Sequence, residues 1–241
     1  MNIITIEKVN STNTYLKELA HRQVLKEGTA VVTHNQTEGK GQRGNLWESE
    51  AGKNITSSLI LFPLFLPVQQ IFLLSEVVSL GVKETLDAYT DDITIKWPND
   101  IYYKERKIAG ILIENELTGN NYNMSVVGIG LNINQERFFS DAPNPVSLKQ
   151  ITGKEYDTEI ILKEMVRNIM IFYERLKTGD AEKIIQMYHK SLYRKSGFHR
   201  YKDNDGIFDA LINRVSDDGT LHLITDCDEA RSYAFKEVRF L

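Results

Sequence analysis

At 241 residues the chain has room for one medium domain and one small one. Its 29 basic and 33 acidic residues give a net charge of -4, which excludes the electrostatic footprint of a non-specific nucleic-acid binder. The single cysteine, Cys227, excludes an internal disulfide framework and a multi-cysteine metal site, and its acidic setting (Thr225-Asp226-Cys227-Asp228) disfavours a nucleophilic role.

No apolar run reaches the roughly 18 residues a membrane span needs. The opening Met1-Asn2-Ile3-Ile4-Thr5-Ile6 lacks the basic region and long apolar core of a signal peptide. With 41% apolar residues, enough for an ordinary packed core, the expectation is a cytoplasmic protein without membrane association.

Ile3-Ile4-Thr5-Ile6 reads as a short opening strand. Ser11-Thr12-Asn13 carries helix N-cap chemistry ahead of Tyr15, Leu16, Leu19 and Ala20, which are spaced for one helical face. Ser11 and Thr12 either only cap this helix or also meet a polar ligand head, since a strand followed by a capped helix aims amides and hydroxyls at one spot. Residues 29–33 form the next strand and feed Gln36-Thr37-Glu38-Gly39-Lys40-Gly41-Gln42-Arg43-Gly44-Asn45-Leu46-Trp47.

Gly39, Gly41 and Gly44 permit backbone conformations that side chains forbid, so amides can close on a small ligand. Consecutive amides in such turns form an anion-binding concavity, and Lys40 and Arg43 add charge beside it. Gln36, Gln42 and Asn45 can hydrogen-bond a neutral polar group, and Trp47 offers a flat face for a ring. The composition suits a ligand part anionic and part ring-like; it equally describes a mobile surface loop. No Gly-Lys-Ser/Thr closes it and no GxGxxG opens a helix after it, so it is neither common phosphate loop.

Residues 54–62 read as a strand stopped by Pro63, and residues 68–89 as the longest helix of the chain. Ile93-Thr94-Ile95-Lys96 is a strand running into the bend Trp97-Pro98-Asn99-Asp100. There Asp100, with the Asn99 carbonyl, either holds a hard cation or makes an Asx-type turn into Ile101-Tyr102-Tyr103. After a charged hairpin tip at 104–106, the run 107–114 reads as a central strand covered on both faces. Lys107 at its edge needs an anionic partner, and Gly110 suggests a group approaching the backbone closely. A turn at 118–121 leads to a strand over 122–134, whose Gly128 and Gly130 again suggest a ligand lying against a sheet.

Residues 141–150 read as a loop with two prolines, and 158–178 and 180–193 as helices. His189 has no metal-ligand partner at helical spacing and reads as a solvated or hydrogen-bonded surface residue. Short strands at 207–215, 220–225 and 231–235, with turns at Asp205-Gly206 and Asp217-Asp218-Gly219, read as a small β barrel that depends on packing against its neighbour.

Five stretches together resemble biotin protein ligases in order and spacing. They are Ser11-Thr12-Asn13, Gly39 to Trp47, Lys96-Trp97-Pro98-Asn99-Asp100, Lys107-Ile108-Ala109-Gly110-Ile111-Leu112 and Gly128-Ile129-Gly130-Leu131-Asn132-Ile133-Asn134. The ending Tyr233-Ala234-Phe235-Lys236-Glu237-Val238 looks like that family's small barrel, so the resemblance spans essentially the whole chain. It implies an α+β fold: a mixed β-sheet flanked by helices, the class II synthetase-like catalytic domain of biotin–lipoate ligases, plus a small C-terminal SH3-like β barrel. Residues 1–193 would form the biotin- and ATP-binding domain and residues 194–241 the barrel.

The activity so implied joins biotin to ATP, giving biotinyl-5'-AMP and pyrophosphate, and passes the biotinyl group to one lysine of a biotin carboxyl carrier domain of a biotin-dependent carboxylase. By resemblance, Ser11, Thr12 and Gln36, with Asn13 beside them, would bind the ureido head, and Lys107 the biotin carboxylate. The loop with Gly39, Lys40, Gly41, Gln42, Gly44 and Asn45 would close over the adenylate. Arg43 would meet phosphate, and Trp47 would support the adenine side or the folded loop. Lys96, Asn99, Asp100 and Asn132 would lie on the ATP and Mg²⁺ side, Asp100 being the metal contact. Gly110, Gly128 and Gly130 would floor the biotin site.

The chain departs from the family's Gly-Arg-Gly-Arg with Gly39-Lys40-Gly41-Gln42: Lys40 keeps the charge but loses the planar fork, and Gln42 loses a charge. Glu50 stands where a proline is common. The first strand at Ile3 leaves no room for the N-terminal helix-turn-helix of some members, so the expectation is a monofunctional ligase without operator DNA, monomeric or homodimeric. The alternatives are a lipoate ligase of the same fold and a non-catalytic biotin-binding regulator.

Overall fold

The computed structural model describes residues 2–118, 121–139 and 144–241, apart from the side chains of Arg43, Thr118 and Asn121. The turn expected around Gly119 and Asn120, and the start of the proline loop, lie outside the described residues.

β1 (Asn2–Val9) and β2 (Thr29–Gln36) are parallel neighbours, so the chain must cross over between them, and α1 (Thr12–Arg22) is that crossover. Ser11 caps α1 by accepting the Thr14 amide at 3.4 Å. β3 (Ile55–Leu61), α2 (Phe72–Asp87), β4 (Ile93–Lys96), β5 (Asp100–Tyr103), β6 (Arg106–Thr118) and β7 (Asn121–Leu131) follow. The seven strands make one mixed sheet in the order β1-β2-β3-β7-β6-β5-β4, antiparallel except at β1–β2.

One sheet face carries α1, whose Leu16 packs with Val31, Ile60, Met124 and Val126. The other carries α2, α4 (Thr158–Lys177) and α5 (Ala181–Lys190), which bury Val77, Leu86, Ile169 and Tyr188 in the larger core. The longest helix is α4, with 20 residues against 16 in α2, which corrects the reading of residues 68–89. Behind Pro67 the chain makes a separate 3-10 turn, Val68–Gln70, before α2 begins. The proline loop also ends early: Ser147 and Gln150 form a reciprocal capping box that starts the short α3 (Leu148–Thr152).

β6 is central, with β7 and β5 on either side, but it is not covered on both faces. Ile111 enters the large core, whereas Gly110 and Leu112 line a pocket. Side chains alternate across a strand, so a helix layer on one face leaves the other to the ligand site.

The C-terminal strands β8 (His199–Lys202), β9 (Ile207–Val215), β10 (Leu221–Thr225), β11 (Ala230–Tyr233) and β12 (Arg239–Phe240) form an antiparallel sheet in the order β11-β10-β9-β8-β12. Its Tyr201, Leu221, Leu223 and Tyr233 join the same apolar core as the helices. Hydrogen bonds that dock it include Trp97 Nε1 to the Gly219 carbonyl at 2.9 Å, the Phe72 amide to the Asp217 carbonyl at 3.3 Å, and the Val215 amide to His189 Nε2 at 3.0 Å. His189 is thus hydrogen-bonded and half-buried, its pKa lowered chiefly by burial.

At this seam Glu76 of α2 is 2% exposed and its Oε2 has no partner among the described residues. Burial, then the charge of Asp217, pushes its pKa up to about 8. A carboxyl held protonated in the fold binds more protons than the unfolded chain between its two pKa values, so stability falls as pH rises towards 8. Glu76→Gln should therefore raise the thermal midpoint at pH 9 by about 2–4 °C or more and change it little at pH 5. Differential scanning calorimetry at the two pH values reads this; equal shifts at both would contradict it.

Candidate active site

A cavity of about 1140 Å³ opens over the sheet, between the loop at 39–47, the N-terminus of α1 and the C-terminal strand β12. Strand register builds its floor. Thr56 lies opposite Gly130, Gly130 opposite Gly110, Gly110 opposite Asp100, and Asp100 opposite Lys96. Directly opposed residues share a face, so one row crosses five strands with its two glycines in the middle and charge at one end. The next row pairs Ser58 with Gly128 and Gly128 with Leu112.

At the α1 end a polar chain is fixed in place. The Thr12 amide and hydroxyl donate to Gln36 Oε1 at 2.8 and 3.2 Å. Ser58 Oγ lies 2.7 Å from Thr12 Oγ1 and 2.5 Å from Asn13 Oδ1, and Asn13 Nδ2 donates to Glu114 Oε2 at 2.6 Å. With Oε1 taken by Thr12, Gln36 keeps its Nε2 as a donor for the cavity. Gly128 sits beneath Asn13: a Cβ there would stand 2.5 Å from Asn13 Oδ1.

The middle of the row is covered by the chain's own Trp47. A Cβ on Gly130 would fall inside the indole, and one on Gly110 would stand 2.9 Å from Trp47 Cζ3. The close approach read from these glycines is real, and the group that makes it here is Trp47. Its buried Nε1 has no partner among the described residues.

Lys107 Nζ pairs with Asp100 Oδ1 at 2.7 Å and stands 5.5 Å from the centre of the Trp47 ring system. The anion that Lys107 required is therefore the carboxylate read from sequence as a cation ligand or a turn former. The Asn99 carbonyl accepts the Ile111 amide at 3.0 Å, and Asn99 Nδ2 donates to the Ile111 carbonyl at 2.7 Å, so Asn99 braces the bend onto β6. Asn132 Nδ2 donates to the Val146 carbonyl at 3.1 Å, while its Oδ1 is buried and unpartnered among the described residues.

The two arms of the glycine-rich loop are hydrogen-bonded to each other as a hairpin. Gly41 N donates to the Asn45 carbonyl at 2.7 Å, Asn45 N to the Gln42 carbonyl at 3.3 Å, and Trp47 N to the Gly39 carbonyl at 2.9 Å, with a bridge between Lys40 and Leu46. These three amides are satisfied within the loop. Gly44, at φ +85°, makes the tip possible. Lys40 and Gln42 line the cavity; the side chain of Arg43 lies outside the described residues.

Several lining residues escaped the sequence reading. Thr56 and Ser57 were legible as polar residues in a strand buried along its whole length. Phe235, Lys236, Arg239 and Phe240 come from the C-terminal segment and had no local signal. Among the described residues no three His, Cys, Asp or Glu side chains cluster as a metal site.

The mixed sheet with its small antiparallel companion matches the fold of solved biotin protein ligases. The enzyme of Aquifex aeolicus, solved in complex with biotin and ATP, superposes at TM-score 0.82 with 26% identity, over 100% of this chain and 99% of that one. The chain belongs to the biotin/lipoate A/B protein ligase family, whose model matches residues 5–132. The bifunctional ligase/repressor BirA of Bacillus subtilis is 33% identical over 183 residues, 72% of this chain and 53% of that protein. The human biotin–protein ligase is 34% identical over 137 residues, 54% of this chain and 19% of that protein. The chain thus spans about half the length of the bacterial curated relatives it matches. A biotin protein ligase of Leishmania major, at 20% identity and TM-score 0.68, shares the fold.

Proposed function

We propose that the chain is an ATP-dependent biotin ligase that makes biotinyl-5'-AMP and transfers the biotinyl group to a lysine of a biotin carboxyl carrier domain. The observation that carries this reading is Lys107, a cation placed between a neutral polar cradle and a cation-lined end of the same cavity. The cradle of Ser11, Thr12, Gln36 and Asn13 suits a ureido ring, which offers both a carbonyl and N–H groups. The apolar chain of biotin would run beside the Trp47 indole, which itself covers Gly110 and Gly130, and bring the carboxylate to Lys107.

The carboxylate oxygen would attack the α-phosphorus of ATP, breaking the bond to the bridging oxygen and releasing pyrophosphate. Two anions meet in that step, so fixed positive charge supplies much of the catalysis. Lys107 would exchange Asp100 for the biotin carboxylate and then the phosphate. The orphan acceptor Asn132 Oδ1 fits an amino group such as that of adenine. The loop bearing Gly39, Lys40, Gly41, Gln42, Arg43, Gly44 and Asn45 would exclude water from the mixed anhydride. In the second step the carrier amine would attack the acyl carbon and AMP would leave.

Mg²⁺ takes one or two carboxylates and otherwise phosphates and water. Asp100, freed by that exchange, fits this role, whereas Glu48 accepts the Phe139 amide. The ion would screen the charge of the triphosphate. Residues 1–193 and 194–241 are proposed as the catalytic and barrel domains, a division that the two separate sheets support.

The test is incubation with biotin, ATP, Mg²⁺ and an unmodified carrier domain, read by intact-mass and peptide spectrometry. One biotinyl group on one lysine is expected. No label, or label that does not require ATP, would contradict the reading.

A further inference from the structure

Lys96 ends β4 and lines the cavity. Its Nζ donates to the Tyr102 hydroxyl at 2.9 Å and stands 4.6 Å from the centre of the Tyr102 ring, 5.8 Å from Tyr193 and 5.4 Å from Phe240. An ammonium within about 6 Å of a ring face is held by the ring's quadrupole. The rings belong to β5, to the segment after α5, and to β12. They also pack on one another, Tyr102 and Tyr193 at 5.2 Å, Tyr193 and Phe240 at 6.2 Å, and Tyr201 behind Phe240 at 5.0 Å.

The third wall is held down. Leu241 N donates to the Arg200 carbonyl at 3.0 Å, and Arg194 Nη1 donates to the Leu241 carbonyl at 2.6 Å. Arg194 Nη2 lies 3.5 Å from Glu105, which also accepts the Tyr193 hydroxyl. The cage is therefore closed by the C-terminal sheet.

Lys96 has no carboxylate within ion-pair distance among the described residues, because its opposite neighbour Asp100 is paired with Lys107. Burial pushes its pKa down, and Asp100 draws it part of the way back. A lysine on a flexible stem, without a full counter-ion and fixed by rings, is arranged to meet an anion. Its place in the register says which one. Lys96 lies beyond Asp100 at the end of the row, past the position where Lys107 would meet the biotin carboxylate and α-phosphate.

We propose that Phe240 is a positioning residue that holds the Lys96 ammonium for the β- and γ-phosphates of ATP, so that the C-terminal strand sets nucleotide affinity. This rests on the ligase reading above and adds a residue from the small sheet to it.

The test measures binding of α,β-methylene-ATP and of AMP by calorimetry, with biotin present, for wild type, Phe240→Leu, Phe240→Tyr, Lys96→Gln and the double variant Lys96→Gln/Phe240→Leu. Phe240→Leu should weaken the triphosphate about tenfold, the size of a desolvated cation–π contact, and leave AMP unchanged. Phe240→Tyr should restore the triphosphate, and the double variant should bind no worse than Lys96→Gln alone. A merely structural role would weaken both nucleotides together. That result, additive effects in the double variant, or no rescue by tyrosine would overturn the proposal. Failure of the ligase reading looks different: wild type would bind nucleotide and release no pyrophosphate with biotin.

Discussion

Lys107→Ala is expected to lower biotin-dependent pyrophosphate release by about 10²–10³-fold or more, the range for removing one fixed donor from a developing negative charge. Two effects act together. The variant loses the cation that would bring carboxylate and phosphate into contact. It also leaves Asp100, whose side chain is only 23% exposed, as an unpaired anion where another anion must enter. Adding Asp100→Asn to Lys107→Ala should therefore recover part of the biotin affinity without restoring turnover. Single-turnover kinetics with saturating biotin separates the two effects. If Lys107→Ala keeps wild-type turnover at saturating biotin, Lys107 only binds substrate.

Gly130→Val is expected to damage the site by a different route. The new Cβ falls inside the Trp47 indole, and β7 lies between β3 and β6, so the backbone has no room to retreat. Overpacking costs about 1–3 kcal/mol, so eviction of the indole should weaken biotin binding by roughly 5- to 150-fold. Gly110→Ala, whose Cβ would touch only the edge of the ring at 2.9 Å, should lose less. In a Trp47→Phe background the penalty at Gly130 should shrink. Biotin titrations on wild type and the four variants decide it, and equal losses at Gly110 and Gly130 would contradict the geometry. Circular dichroism keeps misfolding apart from loss of the site.

Lys107 and the glycines were legible because each breaks a local rule: a charge against a core strand, and missing side chains where a buried strand wants bulk. Their partners were not legible. Asp100 meets Lys107 through the β5–β6 register, and Trp47 covers Gly110 and Gly130 because the loop doubles back on itself. The hydrogen bonds between the arms of the glycine loop were not legible either, since glycine content says that a tight path is open and not which amides it pairs. The overestimate at residues 68–89 came from starting the helix directly after Pro67, although Val68–Gln70 buries no residue and the apolar stripe begins only at Ile71. β12, two residues long, carries no periodicity at all, yet it delivers Phe240 to Lys96.

The most direct test of the central claim is pyrophosphate release from ATP and Mg²⁺, run in parallel with biotin, with lipoate and with neither. Release that requires biotin, and disappears in Lys107→Ala, is the expected result. Release with lipoate alone would move the chain to the other branch of its family, and tight biotin binding without release from either acid would leave a binding protein.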